Sequence, residues 1–199
     1  MRKLTVDDIV DHRAYERERP EFRARIIDMK RRRRIALGEL LTIVFENTDT
    51  MRFQVQEMAR AERMLTDDAI ESEVATYNDL IPSDGELSGT LFIELTNDAL
   101  LREWLPKLVD VQHHIRFELA DGSRVDAVPE DEERLTRDTV AATVHYLKFR
   151  FTPAQQALLA DTTNGGASGP SSLVVDHAEY RSTTELTDEQ RTELAHDFA

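Results

Sequence analysis

Five consecutive cations, Lys30-Arg31-Arg32-Arg33-Arg34, are where this chain concentrates its capacity for chemistry. A run of that kind can hold a phosphate, a nucleic acid, an acidic protein surface or the chain's own carboxylates. Here it lies in a chain of formal net charge −14, with residues 1–63 at a balance of +3 and residues 64–199 at −17. Winding residues 20–34 as a helix splits the run. Phe22, Ile26 and Met29 share one seam and Arg33 continues it, so Arg33 points where the apolar residues point. Arg31 looks outward, and Arg32 and Arg34 flank the seam. The favoured reading is intramolecular pairing, since cations in a helix's last turn complement its dipole and carboxylates are abundant. A protein or small-anion site comes second. Nucleic acid comes last, because the chain is acidic and no aromatics interleave the run for base stacking.

A second helix, near residues 50–65, carries Gln54, Gln56 and Glu57 in a polar motif that core packing does not require. Its apolar seam is Met51, Val55, Met58 and Leu65, with Glu62 among them. A guanidinium on one seam and a carboxylate on another suggest a bidentate Arg33–Glu62 pair where the helices meet. His145 sits on a long strand, where it lines a pocket or packs in a core. His113 and His114 are adjacent and, on a strand, face opposite ways. Glu193 and His196 have the Glu-x-x-His spacing of di-iron bundles, but it occurs once and the chain is rich in strands. The glycines around Asn164-Gly165-Gly166 lack the Lys-Ser/Thr of a phosphate loop, and there is no Gly-x-Ser-x-Gly elbow. No catalytic residue, metal or cofactor is assigned. The candidate binding or buried polar network is Arg31, Arg32, Arg33, Arg34, Gln54, Glu57, Glu62 and His145.

The elements that must position these groups follow from caps and periodicity. Thr5 with Asp8 caps a short helix over 6–11, and Pro20 fits the first turn of a helix over 20–34. Leu40 to Phe45 reads as a strand. After the turn at Asn47-Thr48-Asp49-Thr50 come the helix over 50–65 and another, capped at Thr66, to Tyr77. Strands are expected at 87–95, 115–119, 124–128, 140–151 and 173–175, with Asp121-Gly122 making a hairpin. Asn97 caps a helix containing Trp104, Thr152-Pro153 starts one to Ala160, and an acidic helix begins at Asp188. The fold class is α+β: N-terminal helices with one strand, then an antiparallel sheet of about five strands with helices on one side. Residues 1–161 form the main domain, helical over 1–80 and sheet over 86–161. Residues 162–170 are a flexible linker, and 171–199 are a strand plus acidic helix docked on that domain.

Composition narrows the classes. There is no cysteine, which removes disulfides, thiolate nucleophiles and Cys-ligated metal sites. No apolar run reaches membrane-spanning length, and the N-terminus lacks the apolar core of a secretory signal, so no membrane partner and a cytoplasmic location are expected. Only four of the 25 cations are Lys. Abundant acid with scarce Lys fits a salty cytoplasm, and a GC-rich genome explains the Lys shortage equally well.

Several segments together resemble the bacterial and archaeal domain-of-unknown-function family 3501. They are Arg19-Pro20-Glu21-Phe22-Arg23 with the following cations, Phe53-Gln54-Val55-Gln56-Glu57-Met58 with Arg60 to Arg63, and Tyr77-Asn78-Asp79-Leu80-Ile81-Pro82. His177 to Tyr180 and the closing acidic helix fit as well. The resemblance transfers no catalytic role. It implies a neighbourhood of rubrerythrin-like and iron–sulfur oxidoreductases, hence a redox-related protein partner. The expected function is a non-catalytic protein-binding accessory module that uses the surface around the Arg cluster and Gln54/Glu57, because the polar motif Gln54 to Glu57 is not required by core packing. The alternatives are an enzyme or metal protein with a pocket between helices and sheet, built on Arg33, Glu57, Glu62 and His145, and anion or nucleic-acid binding through the cations.

Overall fold

The computed structural model describes residues 1–130, 140–162 and 170–198. The first long element, α1 (His12–Arg33), starts earlier than its proline suggests. Asp11 caps it, its carboxylate accepting the Arg13 and Ala14 backbone N–H groups at 2.9 and 3.0 Å. Pro20 then lies inside the helix on its exposed side, where water can satisfy the carbonyl that loses its helical donor. The buried stripe is Tyr15, Phe22, Ile26 and Arg33.

With no loop between, α1 passes into β1 (Arg34–Leu37), which turns back as β2 (Leu41–Glu46). Two helices follow, α2 (Thr48–Glu62) and α3 (Asp67–Asn78), then β3 (Glu86–Ile93) and α4 (Asp98–Trp104). A 3-10 turn over Val111–His114 leads to β4 (Ile115–Glu118), β5 (Arg124–Glu130), β6 (Val144–Arg150) and α5 (Pro153–Ala160). The chain closes with β7 (Ser172–Asp176), β8 (Arg181–Glu185), α6 (Asp188–Ala195) and a 3-10 turn over His196–Phe198.

The strands form one eight-stranded antiparallel sheet in the order β1-β2-β3-β6-β5-β4-β7-β8, curled into a nearly closed barrel. Inward residues alternate along each strand: Leu41, Ile43 and Phe45 on β2, Leu87 and Leu91 on β3, Leu147 and Phe149 on β6. Phe45 and Phe117 stand on strands four places apart in the sheet, yet their rings meet at 5.7 Å across the interior, with Phe149 beside both. The lumen is thus a packed aromatic core. Gly89 makes room for it, because a Cβ there would lie 2.8 Å from Ile43 Cδ1.

The seam between the edge strands β1 and β8 is closed by side chains. The Tyr180 hydroxyl donates to the Leu37 carbonyl at 2.7 Å and accepts the Leu40 N–H at 3.2 Å, while the Thr184 hydroxyl donates to the Ala36 carbonyl at 2.7 Å. Gly38, at φ 75°, permits this: a Cβ there would stand 2.2 Å from the Tyr180 oxygen. One mouth is covered by Leu105, Leu108 and Val111, and at the other Phe198 meets Phe151 at 5.2 Å. Outside the wall, β2 is buried on both faces beneath α1 and its neighbours.

A sheet of about five strands with helices on one side is therefore incorrect, for two local reasons. β1 hides in the tail of the cation run, its first residue being Arg34. β8, Arg-Ser-Thr-Thr-Glu, has no apolar residue to show alternation because it is a half-solvated edge. Residues 163–169 of the expected linker lie outside the described residues.

Candidate functional site

Each of the five cations finds a carboxylate of its own chain. Lys30 Nζ lies 3.6 Å from Glu46, and Arg31 meets Asp28 at 3.0 Å. Arg32 bonds Asp28 and, at 2.9 Å through Nε, Glu193. Arg34 pairs with Glu94 on the outside of the sheet. Arg33 goes inward, 1% exposed. Its Nε donates to the Phe45 carbonyl at 2.8 Å, Nη2 to the Glu46 carbonyl at 3.3 Å, and Nη1 and Nη2 together grip the Asp197 carboxylate. Nη1 also reaches Glu193 at 3.4 Å. Burial pushes the Asp197 carboxyl up, against the pull of the guanidinium. Arg33 therefore buckles the end of α1, the end of β2 and the C-terminal turn at one mouth of the barrel.

The Arg33–Glu62 pair does not form. Arg63 takes a left-handed conformation, φ 54°, and ends α2, which leaves Glu62 exposed in the last turn and Leu65 82% exposed beyond it. Arg33's true partners, Glu193 and Asp197, lie 160 and 164 residues away in sequence, and no spacing rule connects them.

The remaining candidates are dispersed. Glu57 faces α1, accepting the Tyr15 hydroxyl at 2.6 Å and Arg19 through two nitrogens at 2.7 and 2.8 Å. Arg19, helped by the Tyr15 hydrogen bond, lowers its carboxyl to about 2, while burial pushes the Tyr15 hydroxyl up. Gln54 is half-buried near Tyr77, whose hydroxyl is raised by burial against the opposing hydrogen bond of Gln54. The buried member of that motif is Gln56, whose amide clamps both the N–H and the carbonyl of Val10 at 3.1 and 2.9 Å. His145 points into the barrel, its Nε2 2.9 Å from the Ala142 carbonyl, and burial lowers its pKa. Arg33, Glu57, Glu62 and His145 thus have separate surroundings, and the described residues bring no two of them into contact. His113 and His114 belong to a 3-10 turn, where His114 packs edge-on to His177 at 5.1 Å. Among the described residues no three His, Asp or Glu side chains are grouped to hold a metal ion.

What remains open is the outer face of α1, opposite its buried stripe. Arg13, Arg17, Pro20, Ala24, Ile27 and Arg31 are all exposed, Ile27 by 53%, with Glu16, Glu21, Arg23 and Asp28 exposed along the flanks. Arg13, Arg17 and Arg23 make no ion pair among the described residues. The whole face is legible only if the helix is begun at His12 and not at Pro20, since Arg13 and Arg17 lie on the two turns that Pro20 conceals.

The fold and this surface define a class: a small antiparallel barrel with a filled lumen, sealed by side chains and jacketed by helices, whose longest helix shows a charged face to solvent. The chain belongs to the family described as Protein of unknown function (DUF3501), whose model matches residues 3–198. It is similar to a solved structure from Burkholderia pseudomallei, itself described as a novel protein of unknown function, with 30% identity, a TM-score of 0.87 and full coverage of both chains. No curated protein matches the chain. No described helix is long and apolar enough to cross a membrane.

Proposed function

We propose that this protein is a non-catalytic module that binds a protein partner, and that the outer face of α1 is where it does so. The observation that carries the reading is the set of uncommitted cations around an exposed isoleucine. In a chain of net charge −14, ion pairs take up each of Lys30 to Arg34, yet among the described residues Arg13, Arg17 and Arg23 have none. Cations left solvated beside apolar surface suit an interface whose carboxylates come from another molecule. The redox connection implied by the family resemblance makes oxidoreductases the first partners to look for.

Cross-linking co-purification at native salt tests this, using the wild type and an Arg17→Glu/Arg23→Glu variant. A partner recovered stoichiometrically by the wild type and lost by the variant supports the reading. Equal recovery by both, or none by the wild type, defeats it.

A further inference from the structure

The outer face of α1 has an order beyond its charge. Arg13, Arg17, Pro20, Ala24, Ile27 and Arg31 follow one another at steps of four, three, four, three and four residues. At 3.6 residues per turn they fall within about 40° of one line along the helix. That line runs opposite the buried stripe of Tyr15, Phe22, Ile26 and Arg33. α1 therefore carries two seams, one used by the barrel and one presented to solvent. The outer seam has small or apolar residues, Pro20, Ala24 and Ile27, at its middle, Arg13 and Arg17 at its N-terminal end, and Arg31, already held by Asp28, at its C-terminal end.

Step spacing of this kind is what one helix offers another in a knobs-into-holes contact. The small side chains of Pro20 and Ala24 would let a second helix approach closely, with Ile27 as the knob. The cations choose the occupant. We propose that the outer seam of α1 docks an amphipathic helix of a protein partner, with an apolar seam of its own that meets Ile27 and carboxylates at the end that meets Arg13 and Arg17. This rests on the protein-binding reading above and adds the partner's chemistry to it.

A second copy of this chain fits less well. The stripe is symmetric about residue 22, so an antiparallel pair of α1 helices would set Arg13 against Arg31 and Glu16 against Asp28 at each end. Only the central Glu21–Arg23 contact would be complementary.

The test uses the full chain and two synthetic 21-residue helical peptides with the same leucine seam, one flanked by Glu and one by Lys. Fluorescence anisotropy should show the Glu peptide binding at least tenfold more tightly than the Lys peptide, with affinity falling as salt rises. Ile27→Asp, and separately Arg13→Glu/Arg17→Glu, should each weaken the Glu peptide at least tenfold. Both changes lie at exposed positions, so unchanged circular dichroism melts would show that the fold persists. Equal binding of the two peptides, or indifference to Ile27→Asp, overturns the proposal. So does a dimer in sedimentation velocity that Ile27→Asp dissolves, which would put a second copy on the seam. A natural partner whose cross-links map away from α1 would sink this inference while leaving the protein-binding reading intact.

Discussion

Replacing Arg33 with alanine should cost this protein a large part of its stability. The substitution strips the donors from a carboxylate that is 1% exposed, Asp197, and from the carbonyls of Phe45 and Glu46. Removing one partner of a buried ion pair typically costs about 3–5 kcal/mol, because the other is left charged without compensation. Relief is available here: the C-terminal turn can swing outward and hydrate Asp197. That escape exposes Leu194, which is fully buried, and unstacks Phe198 from Phe151. Exposing two such side chains costs about 1.5–3 kcal/mol each, about 3–6 kcal/mol together, so the escape is no cheaper than the broken pair and the total effect stays at about 3–5 kcal/mol. The assay is urea unfolding followed by far-UV circular dichroism, with Trp104 fluorescence as a second probe. Hydrogen exchange over residues 188–198 reports whether the loss is local or global. The double change Arg33→Met/Asp197→Leu should recover most of the loss, since well-packed apolar substitutes for a buried pair are commonly neutral or better. A cost below about 1 kcal/mol for Arg33→Ala would refute the argument, as the group would then be hydrated or replaceable. A double variant as damaged as the single would place the energy in Arg33's carbonyl bonds and not in the pair.

Three further outcomes follow from other parts of the fold. The Glu57 carboxyl is held at about 2 in the folded state against an ordinary 4.5. Its contribution is therefore complete above pH 4.5 and is lost as pH falls toward 2; the unscreened value is about 3 kcal/mol, reduced to roughly 1–2 by partial exposure. The stability gap between wild type and Glu57→Gln should shrink across that window, and a gap independent of pH would contradict the assignment. Gly38→Ala should destabilise by more than ~2 kcal/mol, since it combines a positive φ with a Cβ 2.2 Å from the Tyr180 oxygen; Tyr180→Phe in the same background should relieve only part of this, and full rescue would mean the backbone carries no strain. Gly89→Ala overpacks the lumen against Ile43 and should cost about 1–3 kcal/mol, with Ile43→Val restoring part of it in thermal melts.

Most local features were legible in the sequence because they are set by a few neighbouring residues. The capping boxes at Thr5 and Thr152, the caps at Asn97 and Thr66 and the hairpin at Asp121-Gly122 all depend on contacts three or four residues apart. The inward aim of Arg33 was legible for the same reason, since a helical seam is a local property. Its partner was not. Asp197 reaches Arg33 only because the barrel closes, bringing the end of α1 and the C-terminal turn to one mouth, and closure rests on interior contacts such as Phe45 with Phe117 between distant strands. Glu62 suits Arg33 only if α2 runs to residue 65, and one left-handed residue at Arg63 ends the helix before that. The start of α1 shows the converse. Pro20 suggested a helix beginning there, yet Asp11 starts it nine residues earlier, and that difference exposes the full outer seam from Arg13 to Arg31. A helix of only 15 residues would carry four members of that seam and a single cation. Extended to 22 residues it carries all six, with cations at both ends. The candidate interface thus depends on one capping carboxylate that prevails over one proline.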